Sequence, residues 1–557
     1  MLKRPLDSTP RGSGAAKATA QTSEVEVPEN GSESAPENGP QSTPEEGAEE
    51  TSERGGLRAW IPRHRKFLSW LVVVLILSLT GTALGPGWHP QPMEAVIQPE
   101  TPNTAIGTAG PTARVGTYEV ETEVVTFRLR DGTENQATIK KPVGARGPLP
   151  GMVFIHGTGT DSYTAFERET NRIASTGIVT MVAQKRIANY TTTHRDYNAL
   201  ADDYEDALEF LREQAGIDPG EVGIYAVSEG CFVAPIIAAR NYDVAYVAFI
   251  SAPVLPIRQQ GAFAADAYLR EIGAPIQMIN AIPKILGQDF GEETFRYIDF
   301  DPAAYEAKIT APVMMLYGTA DKSMPTIQGP LVMAKQLEKA GNRNLTIRYY
   351  EGADHGLQLN RKTLSEAAMQ DVSDWVNGLP YTANSQPRVA GGQPNQQYQA
   401  GAVQEVPTFL NGEVVLAVMA AGILLAALAW LLQLVGLIRV GNRGPLAKCG
   451  GSGGQLNRSL AWTVITWVAY LWYVLLIARI ALNYQQDRLL VQGGYLIIVL
   501  LALSAVWWFV SWLFRWAEVS KQGGMNAFGQ VISAVALLSQ IALLLTLGYW
   551  NAFPGIF

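Results

Sequence analysis

Five long apolar segments constrain this chain more than any other feature of its sequence. They cover residues 67–84, about 414–438, 460–482, 490–513 and 526–548, and none carries a charge at its centre. About 20 helical residues span a hydrocarbon core of roughly 30 Å, so each segment is long enough, or nearly so, to cross a bilayer. The sequence therefore predicts one N-terminal and four C-terminal transmembrane helices.

Basic residues flank these segments in an alternating pattern. They precede the first segment and lie between the second and third and between the fourth and fifth, at Arg58, Arg63, Arg65, Lys66, Arg439, Arg443, Lys448, Arg458, Arg515 and Lys521. Because cytoplasmic loops carry an excess of lysine and arginine, the N-terminal tail and both loops are predicted to be cytoplasmic. The region between the first and second segments is then extracytoplasmic, in a multi-pass protein of the cell membrane.

A cleavable signal peptide is the alternative reading of the first apolar segment. The basic part of a signal peptide normally lies close to the N-terminus, whereas more than fifty residues precede this one. This position favours a signal anchor that stays in the membrane.

Changes in composition mark the remaining boundaries. Residues 1–56 are rich in Ser, Thr, Pro, Gly and Glu and are predicted to form a disordered acidic tail, with a docking or activation tail as the alternative. The chain then divides into a basic flank and signal anchor at 57–85, a linker at 86–113, a folded domain at 114–380, a second linker at 381–411, and a four-helix transmembrane region at 412–557.

Charge and cysteine content exclude several classes of function. The net charge is -8 and no long basic run is present, so nucleic acid is not expected as a partner. Cys231 and Cys449 lie far apart, which gives neither a disulfide framework nor the spacing of a metal site. No metal is therefore expected.

A candidate nucleophile lies in the sequence AVSEG, residues 226–230. A short apolar run of strand type precedes it and a helical apolar stretch follows it. A serine in such a turn, with small residues two positions before and after it, is typical of a nucleophile elbow, in which the strained backbone exposes the hydroxyl group. Ser228 is the predicted nucleophile, with Ala226 where glycine is usual.

The candidate acid and base follow two later strands. Val313–Tyr317 leads to Asp321, and Leu345–Tyr350 leads to His355. Ligands of open α/β sheets bind beyond the carboxyl ends of the strands, so both side chains are expected at one edge. Three other residues are weighed as alternatives: Asp354 is interpreted as structural, His156 ends an early strand, and His194 is an alternative base or a substrate contact.

The stretch HGTG, residues 156–159, completes the predicted site. Stabilisation of an acyl-transfer oxyanion needs the amide of the residue after the nucleophile, here Glu229, and an amide from the loop after an early strand. Thr158 is the predicted second donor, and Gly157 permits the close approach of the backbone. Such a site needs no metal or organic cofactor.

Residues of about 118–378 resemble the dienelactone hydrolase and prolyl oligopeptidase-like branch of the α/β-hydrolases. The resemblance rests on TYEVETEVVTFRLRDG, PLPGMVFIHGTG, VGIYAVSEG, KITAPVMMLYGTADKSMP and YYEGADHGL. It implies a doubly wound, mostly parallel sheet, and it implies the roles of nucleophile, acid, base and oxyanion donors for Ser228, Asp321, His355, Thr158 and Glu229. The transmembrane regions resemble no family that we recognise.

The function expected from these features is that of a membrane-anchored serine hydrolase that cleaves ester bonds. An acyltransferase or a serine peptidase with the same triad is the alternative, and a non-catalytic binding module is a third. The expected partners are a small-molecule or lipid-like ester and membrane lipids, and no protein partner is indicated. Residues 255–305 are interpreted as a lid or cap over the site or, equally, as a structural insertion.

Overall fold

The computed structural model describes residues 52–188, 190–191, 193–289, 295–440, 452–483 and 485–555. The predicted disordered tail therefore lies outside the described residues except for its last five positions, which begin helix α1 (Ser52–Ala83). The chain divides into a unit that ends at Arg65 and a unit from Lys66 to Phe557. All contacts given below lie within the second unit.

A mixed sheet organises the domain between the apolar segments. Within the described residues it has nine strands, in the order β1 (Val120–Arg128), β2 (Glu134–Pro142), β4 (Val179–Ala183), β3 (Leu149–Ile155), β5 (Ile217–Val227), β6 (Val247–Ile250), β7 (Val313–Gly318), β8 (Leu345–Tyr350) and β11 (Val389–Gly391). Strand β2 is antiparallel to both β1 and β4, and all other neighbours are parallel. Two short strands, β9 (Gln358–Leu359) and β10 (Thr363–Leu364), form a separate hairpin.

Helices cover both faces of this sheet. Strands β4, β6, β7 and β8 are buried along their whole length, as their near-continuous apolar sequences require in a parallel sheet. One face packs against α3 (Tyr197–Arg212), α4 (Gly230–Arg240) and α9 (Gln328–Lys339), and the other against α2 (Glu167–Ala174) and α10 (Glu366–Asn377). The predicted doubly wound, mostly parallel sheet is confirmed.

A helical insertion, residues 255–305, lies between β6 and β7. It contains α5 (Ile257–Glu271), α6 (Ile276–Ile279), α7 (Ile282–Leu286) and α8 (Ala303–Glu306). Tyr268 and Leu269 of α5, together with the following Ile272, belong to the apolar core of the long C-terminal helices. Part of the apolar surface of this segment is thus used for packing against those helices, and another part packs around Trp88 with Ala262, Ile279 and Ile282.

Five helices of the described chain are long and apolar enough to cross a membrane, as predicted. They are part of α1 (His64–Ala83) together with α11 (Gly412–Val440), α12 (Ser452–Leu482), α13 (Gly494–Lys521) and α14 (Ala527–Tyr549). Helix α12 begins well before the predicted apolar segment at 460, because polar residues continue the helix beyond its apolar part.

Lys284 in α7 joins the insertion to the ends of two of these helices. Its ammonium group donates to the carbonyl oxygens of Gly81 in α1, at 2.7 Å, and of Tyr549 in α14, at 2.6 Å. The last carbonyls of a helix have no partner within the helix and carry partial negative charge, so a buried cation is well placed there. Burial lowers the pKa of Lys284 to about 8.

The two segments predicted as linkers, residues 86–113 and 381–411, run beside each other. Their backbones are hydrogen-bonded from Met93 to Gln397, from Glu100 to Val389 and from Gly391 to Thr101, at 2.8–2.9 Å. The second segment contains β11, which extends the sheet, and the first buries Trp88, Ile97 and Ile106. Both segments are therefore packed parts of the domain, because scattered apolar residues between Pro and Gly anchor them without any regular pattern.

Replacement of Lys284 by Met is expected to destabilise the protein by about 2 kcal/mol, because it leaves buried helix-end carbonyls without a donor. Thermal unfolding of the full chain in detergent measures the effect as a lower melting temperature. Lys339→Met, at an exposed lysine of α9, is the control and should melt like the wild type. Equal melting temperatures for all three proteins would contradict a stabilising role for the Lys284 contacts.

Candidate active site

The turn from β5 into α4 places Ser228 above the carboxyl edge of the sheet. Its backbone lies in the left-handed region, with φ +53°, which is rare for a residue with a side chain. The Ser228 amide donates to Ile250 in β6 at 2.9 Å and holds this conformation in place. A serine in this conformation has the geometry of a nucleophile elbow, and Ala226 fits within the buried end of β5.

Gly230 begins α4 at the point where this helix approaches β3 most closely. A Cβ atom at this position would lie 2.7 Å from the carbonyl oxygen of Ile155 and 2.9 Å from that of His156. Neither oxygen is at the flexible end of a side chain. The second small position of the AVSEG pattern therefore reflects contact between two backbones.

The side chains of Ser228, His355 and Asp321 form one hydrogen-bonded chain. Ser228 Oγ lies 2.9 Å from His355 Nε2, and His355 Nδ1 lies 2.8 Å from Asp321 Oδ2. The structure thus brings together the three residues that the sequence places 127 and 34 positions apart. His355 follows β8, and its own carbonyl oxygen accepts a hydrogen bond from Ser251 at 2.8 Å.

Asp321 is fully enclosed and remains ionised. Its second oxygen accepts from the amide of Ser323 at 2.9 Å and from the hydroxyl group at 2.7 Å. Burial acts to raise the pKa of Asp321, but the charge of His355 and these hydrogen bonds outweigh burial and hold the pKa below its ordinary value. Conversely, burial acts to lower the pKa of His355, and the charge and hydrogen bond of Asp321 outweigh it and raise that pKa above its ordinary value.

The loop after β3 lies directly against Ser228, the predicted nucleophile. A Cβ atom on Gly157 would be 3.2 Å from both Ser228 Cβ and the Val227 carbonyl oxygen, so only glycine fits without displacement. The amides of Thr158 and Glu229 donate to no other group among the described residues. This arrangement is compatible with the predicted oxyanion donors.

The Glu229 side chain forms a buried polar cluster that sequence reasoning did not predict. Its carboxylate accepts hydrogen bonds from Tyr190, Tyr197 and Arg195, and Lys185 Nζ lies 3.4 Å from it. The four partners follow β4 or begin α3, in a loop without periodic pattern. The only feature of the sequence that points to this cluster is the pair of basic residues, Lys185 and Arg195, in the loop between β4 and α3.

The three alternative residues, His156, Asp354 and His194, lie outside the hydrogen-bonded chain of Ser228, His355 and Asp321. His156 is buried between the Tyr204 hydroxyl, at 2.7 Å from Nδ1, and the Ser162 carbonyl oxygen, at 2.9 Å from Nε2; burial lowers its pKa to about 4. Asp354 accepts from the amides of Gly356 and Gln358 and shapes its loop. His194 is exposed in the loop before α3.

A cavity of about 350 Å³ borders Asp321 on the side of the insertion. Its lining combines apolar and charged side chains, namely Phe263, Asp266 and Arg270 of α5, Lys322 and Met324 after β7, and Tyr398 of the segment that leads to α11. No group of three or more metal-ligating side chains lies together in the part of the chain that the structure describes.

Comparison with known proteins identifies the class of this domain. Residues 202–378 match the family described as "BAAT / Acyl-CoA thioester hydrolase C terminal". Together with the sheet order, this match places the domain among the α/β-hydrolases, as the sequence resemblance predicted. The match supports a hydrolase. No curated protein sequence matches the chain.

Three solved structures illustrate the fold-level similarity. A candidate dipeptidyl aminopeptidase IV from Bacteroides ovatus shares 14% identity over 46% of this chain and 36% of its own length, with a TM-score of 0.35. An esterase from Pyrobaculum calidifontis shares 20% identity over 46% of this chain and 82% of its own length, with a TM-score of 0.35. A candidate dienelactone hydrolase from Klebsiella pneumoniae shares 16% identity over 47% of this chain and 98% of its own length, with a TM-score of 0.34.

Gly230→Ala is expected to destabilise the protein by about 2 kcal/mol, because the new methyl group would press on the backbone of β3. Gly107→Ala is the matched control, since a Cβ atom there would meet nothing within 4 Å. Thermal unfolding of both variants tests the prediction. If Gly230→Ala melts with the control, the close contact between α4 and β3 does not constrain this position.

Proposed function

We propose that this chain is a membrane-anchored serine hydrolase that cleaves acyl esters, with Ser228 as nucleophile, His355 as general base and Asp321 as the residue that orients the base. The observation that carries the proposal is the continuous hydrogen-bonded chain, 2.9 Å and 2.8 Å long in its two links, that ends on a serine at φ +53°. A hydroxyl group becomes nucleophilic at neutral pH only when such a base can accept its proton.

The first half of the reaction forms an acyl-enzyme. His355 Nε2 takes the proton of Ser228 while Oγ forms a bond to the substrate carbonyl carbon. Asp321 holds the imidazole with Nδ1 protonated and stabilises the imidazolium that results. The tetrahedral intermediate then collapses, the bond to the leaving alcohol breaks, and His355 donates the proton to that alcohol.

The second half releases the acyl group. Water gives a proton to His355 and attacks the acyl carbonyl carbon, and the carboxylic acid leaves as Ser228 regains its proton. In both halves, negative charge develops on the carbonyl oxygen, and the amides of Thr158 and Glu229 are proposed to bind it. Each such donor contributes about 3 kcal/mol to lowering the barrier.

The position of the insertion supports a lipid-like ester as the substrate. Phe263 of helix α5 lines the cavity beside Asp321, while Tyr268 and Leu269 of the same helix pack into the core of the long apolar helices. Because the insertion packs against helices that would cross a bilayer, the proposed site would lie near the membrane surface, where esters with apolar acyl chains partition. Acyl thioesters are a second candidate class, because the matched family is described as an acyl-CoA thioester hydrolase.

The contacts of the long helices support the proposed topology. The insertion touches the end of α1 through Lys284, the start of α11 through Gln288 and the residues before α13 through Gly273. These are the ends that the basic flanks predict to share one side of the membrane. We propose that this side is extracytoplasmic and that α1 remains attached as a signal anchor.

A fluorophosphonate probe is expected to label the wild-type protein in membranes, and Ser228→Ala should abolish the labelling because no activated hydroxyl group remains. Ser365→Ala, which removes only the N-terminal cap of α10, is the control and should still be labelled. In-gel fluorescence measures all three. An unlabelled wild type, or a labelled Ser228→Ala protein, would overturn the proposal; hydrolysis of p-nitrophenyl esters against peptide amides then separates esterase from peptidase.

Activity is expected to rise with pH, because only neutral His355 can accept the Ser228 proton. Since the pKa of His355 is raised above 6.5, the acid limb of kcat/KM should have its midpoint above that value. Asp321→Asn removes the charge that raises the pKa, so it should move the midpoint down and lower kcat by about 10⁴-fold. A wild-type midpoint at or below 6.5 would contradict the effect assigned to Asp321.

A further inference from the structure

Lys185, two residues after the end of β4, is buried beside the proposed nucleophile and has no role in the reaction described above. Its side chain is 2% exposed, and Nζ lies 3.2 Å from the carbonyl oxygen of Gly157 and 3.4 Å from Glu229 Oε2. The ammonium group also lies 3.6 Å from the centre of the Tyr190 ring. Lys185 therefore contacts both loops that carry the proposed oxyanion donors.

The contact between Lys185 and the Gly157 carbonyl oxygen matters because it acts on the Gly157–Thr158 peptide group. The carbonyl oxygen of Gly157 and the amide of Thr158 belong to the same peptide plane. The peptide is trans, because the cis bonds of the described chain lie elsewhere, so its C=O and N–H point in opposite directions. A cation that fixes the Gly157 oxygen on one side consequently fixes the direction of the Thr158 N–H on the other.

The local sequence makes such a restraint necessary. Glycine precedes Thr158, and Gly159 follows it with φ +78°. Glycines allow a peptide plane to rotate with little steric resistance. The loop is also tied by the Lys185 amide to the Asp161 carbonyl oxygen at 2.8 Å, but that bond lies past the flexible peptide and does not orient it.

The surroundings of Glu229 hold Lys185 in place. Two cations, Lys185 and Arg195, face one carboxylate, which leaves one positive charge in excess at the oxyanion loops. Burial acts to raise the pKa of Glu229, but the charges of Lys185 and Arg195 outweigh it and keep the pKa below its ordinary value. Burial lowers the pKa of Lys185 below its ordinary value, and the charge and hydrogen bond of Glu229 act in the opposite direction, so the ionised carboxylate favours the ammonium form of Lys185 and anchors it.

We propose that Lys185 is a positioning residue that orients the Gly157–Thr158 peptide, so that the Thr158 amide faces the oxyanion that forms at Ser228, and that the Glu229 carboxylate holds Lys185 in this role. The inference rests on the proposed function. A hydrogen bond from a cation to a carbonyl oxygen also polarises the peptide and strengthens its N–H as a donor. Lys185 thus acts on the transition state through Thr158, without contact with the substrate.

A purely structural lysine would predict a different pattern of effects. Removal of one partner of a buried ion pair commonly lowers stability, because the other charge is left buried without compensation, so a structural role predicts a lower melting temperature with kcat and KM retained in the folded protein. The positioning role instead predicts a loss of transition-state binding, with little effect on substrate binding in the ground state.

The test compares Lys185→Met with Lys140→Met in the full chain. Lys140 is a matched control, because it is also buried in the sheet and its Nζ donates to a backbone carbonyl oxygen, that of Glu167, at 3.1 Å. The measurements are kcat and KM for p-nitrophenyl butyrate, the inhibition constant of an alkyl boronic acid whose tetrahedral adduct mimics the intermediate, and the melting temperature.

Lys185→Met is expected to lower kcat by about 10- to 100-fold, less than or equal to the loss of a whole oxyanion donor, with KM within about threefold of the wild type. Boronic acid affinity should fall by the same factor as kcat/KM. Lys140→Met should retain wild-type kinetics. A kcat for Lys185→Met within about threefold of the control, or a change confined to KM, would overturn the inference.

Two further measurements separate the possible failures. Wild-type labelling by the fluorophosphonate tests the proposed function alone, so an active wild type with unaffected Lys185→Met contradicts only the positioning role. Should Lys185→Met not fold, Glu229→Gln takes its place, since it weakens the anchor of Lys185 and leaves the Glu229 amide intact. The same split, with kcat about tenfold lower and KM unchanged, is then expected, and an unchanged kcat would again overturn the inference.

Discussion

The left-handed backbone of Ser228 is the constraint on which the site depends. It turns the chain from β5 into α4 within a few residues, so that the hydroxyl group points away from the sheet while the helix packs beneath it. Such a conformation costs of order 1–3 kcal/mol and persists only where neighbours fix it. Here the hydrogen bond from the Ser228 amide to the Ile250 carbonyl oxygen and the close contact of Gly230 with β3 provide that support.

The sequence could predict the sheet and the three central residues of the site because each signal is local. A buried parallel strand is a short apolar run, and Ser228, Asp321 and His355 each follow such a run by a few positions. Parallel strands bring their carboxyl ends to one edge, so convergence follows from topology. The number of long apolar helices could be predicted for the same reason.

The sequence could not predict what depends on contacts between irregular segments. Lys185 meets Gly157 and Glu229 across 28 and 44 positions, and nothing in a polar loop indicates which of its charges will be buried. The pairing of residues 86–113 with 381–411 was missed because Pro- and Gly-rich composition is typical of free linkers as well as of packed extended chain. The resemblance to hydrolases, over about 118–378, likewise gave no information on the long apolar helices, which resemble no family that we recognise.

The insertion joins the two cores of the molecule. On one side Lys284 and Ile272 contact the long helices, and on the other Gln260 donates to the Ser323 carbonyl oxygen at 2.6 Å. Ser323 in turn binds the carboxylate of Asp321. A series of packed and hydrogen-bonded groups in the insertion therefore connects the helix ends with Asp321, the proposed acid.

The pairing of the two flanking segments, residues 86–113 and 381–411, limits how the sheet domain can move. The segment that follows α1 and the segment that leads to α11 are joined by backbone hydrogen bonds. The domain is therefore connected to these helices by two paired segments instead of two independent flexible tethers. In the proposed membrane topology, a domain held in this way would stay close to the bilayer with one face toward it. The rate of the proposed reaction would then follow the surface density of substrate in the membrane, and dilution of the surrounding solution would change it little.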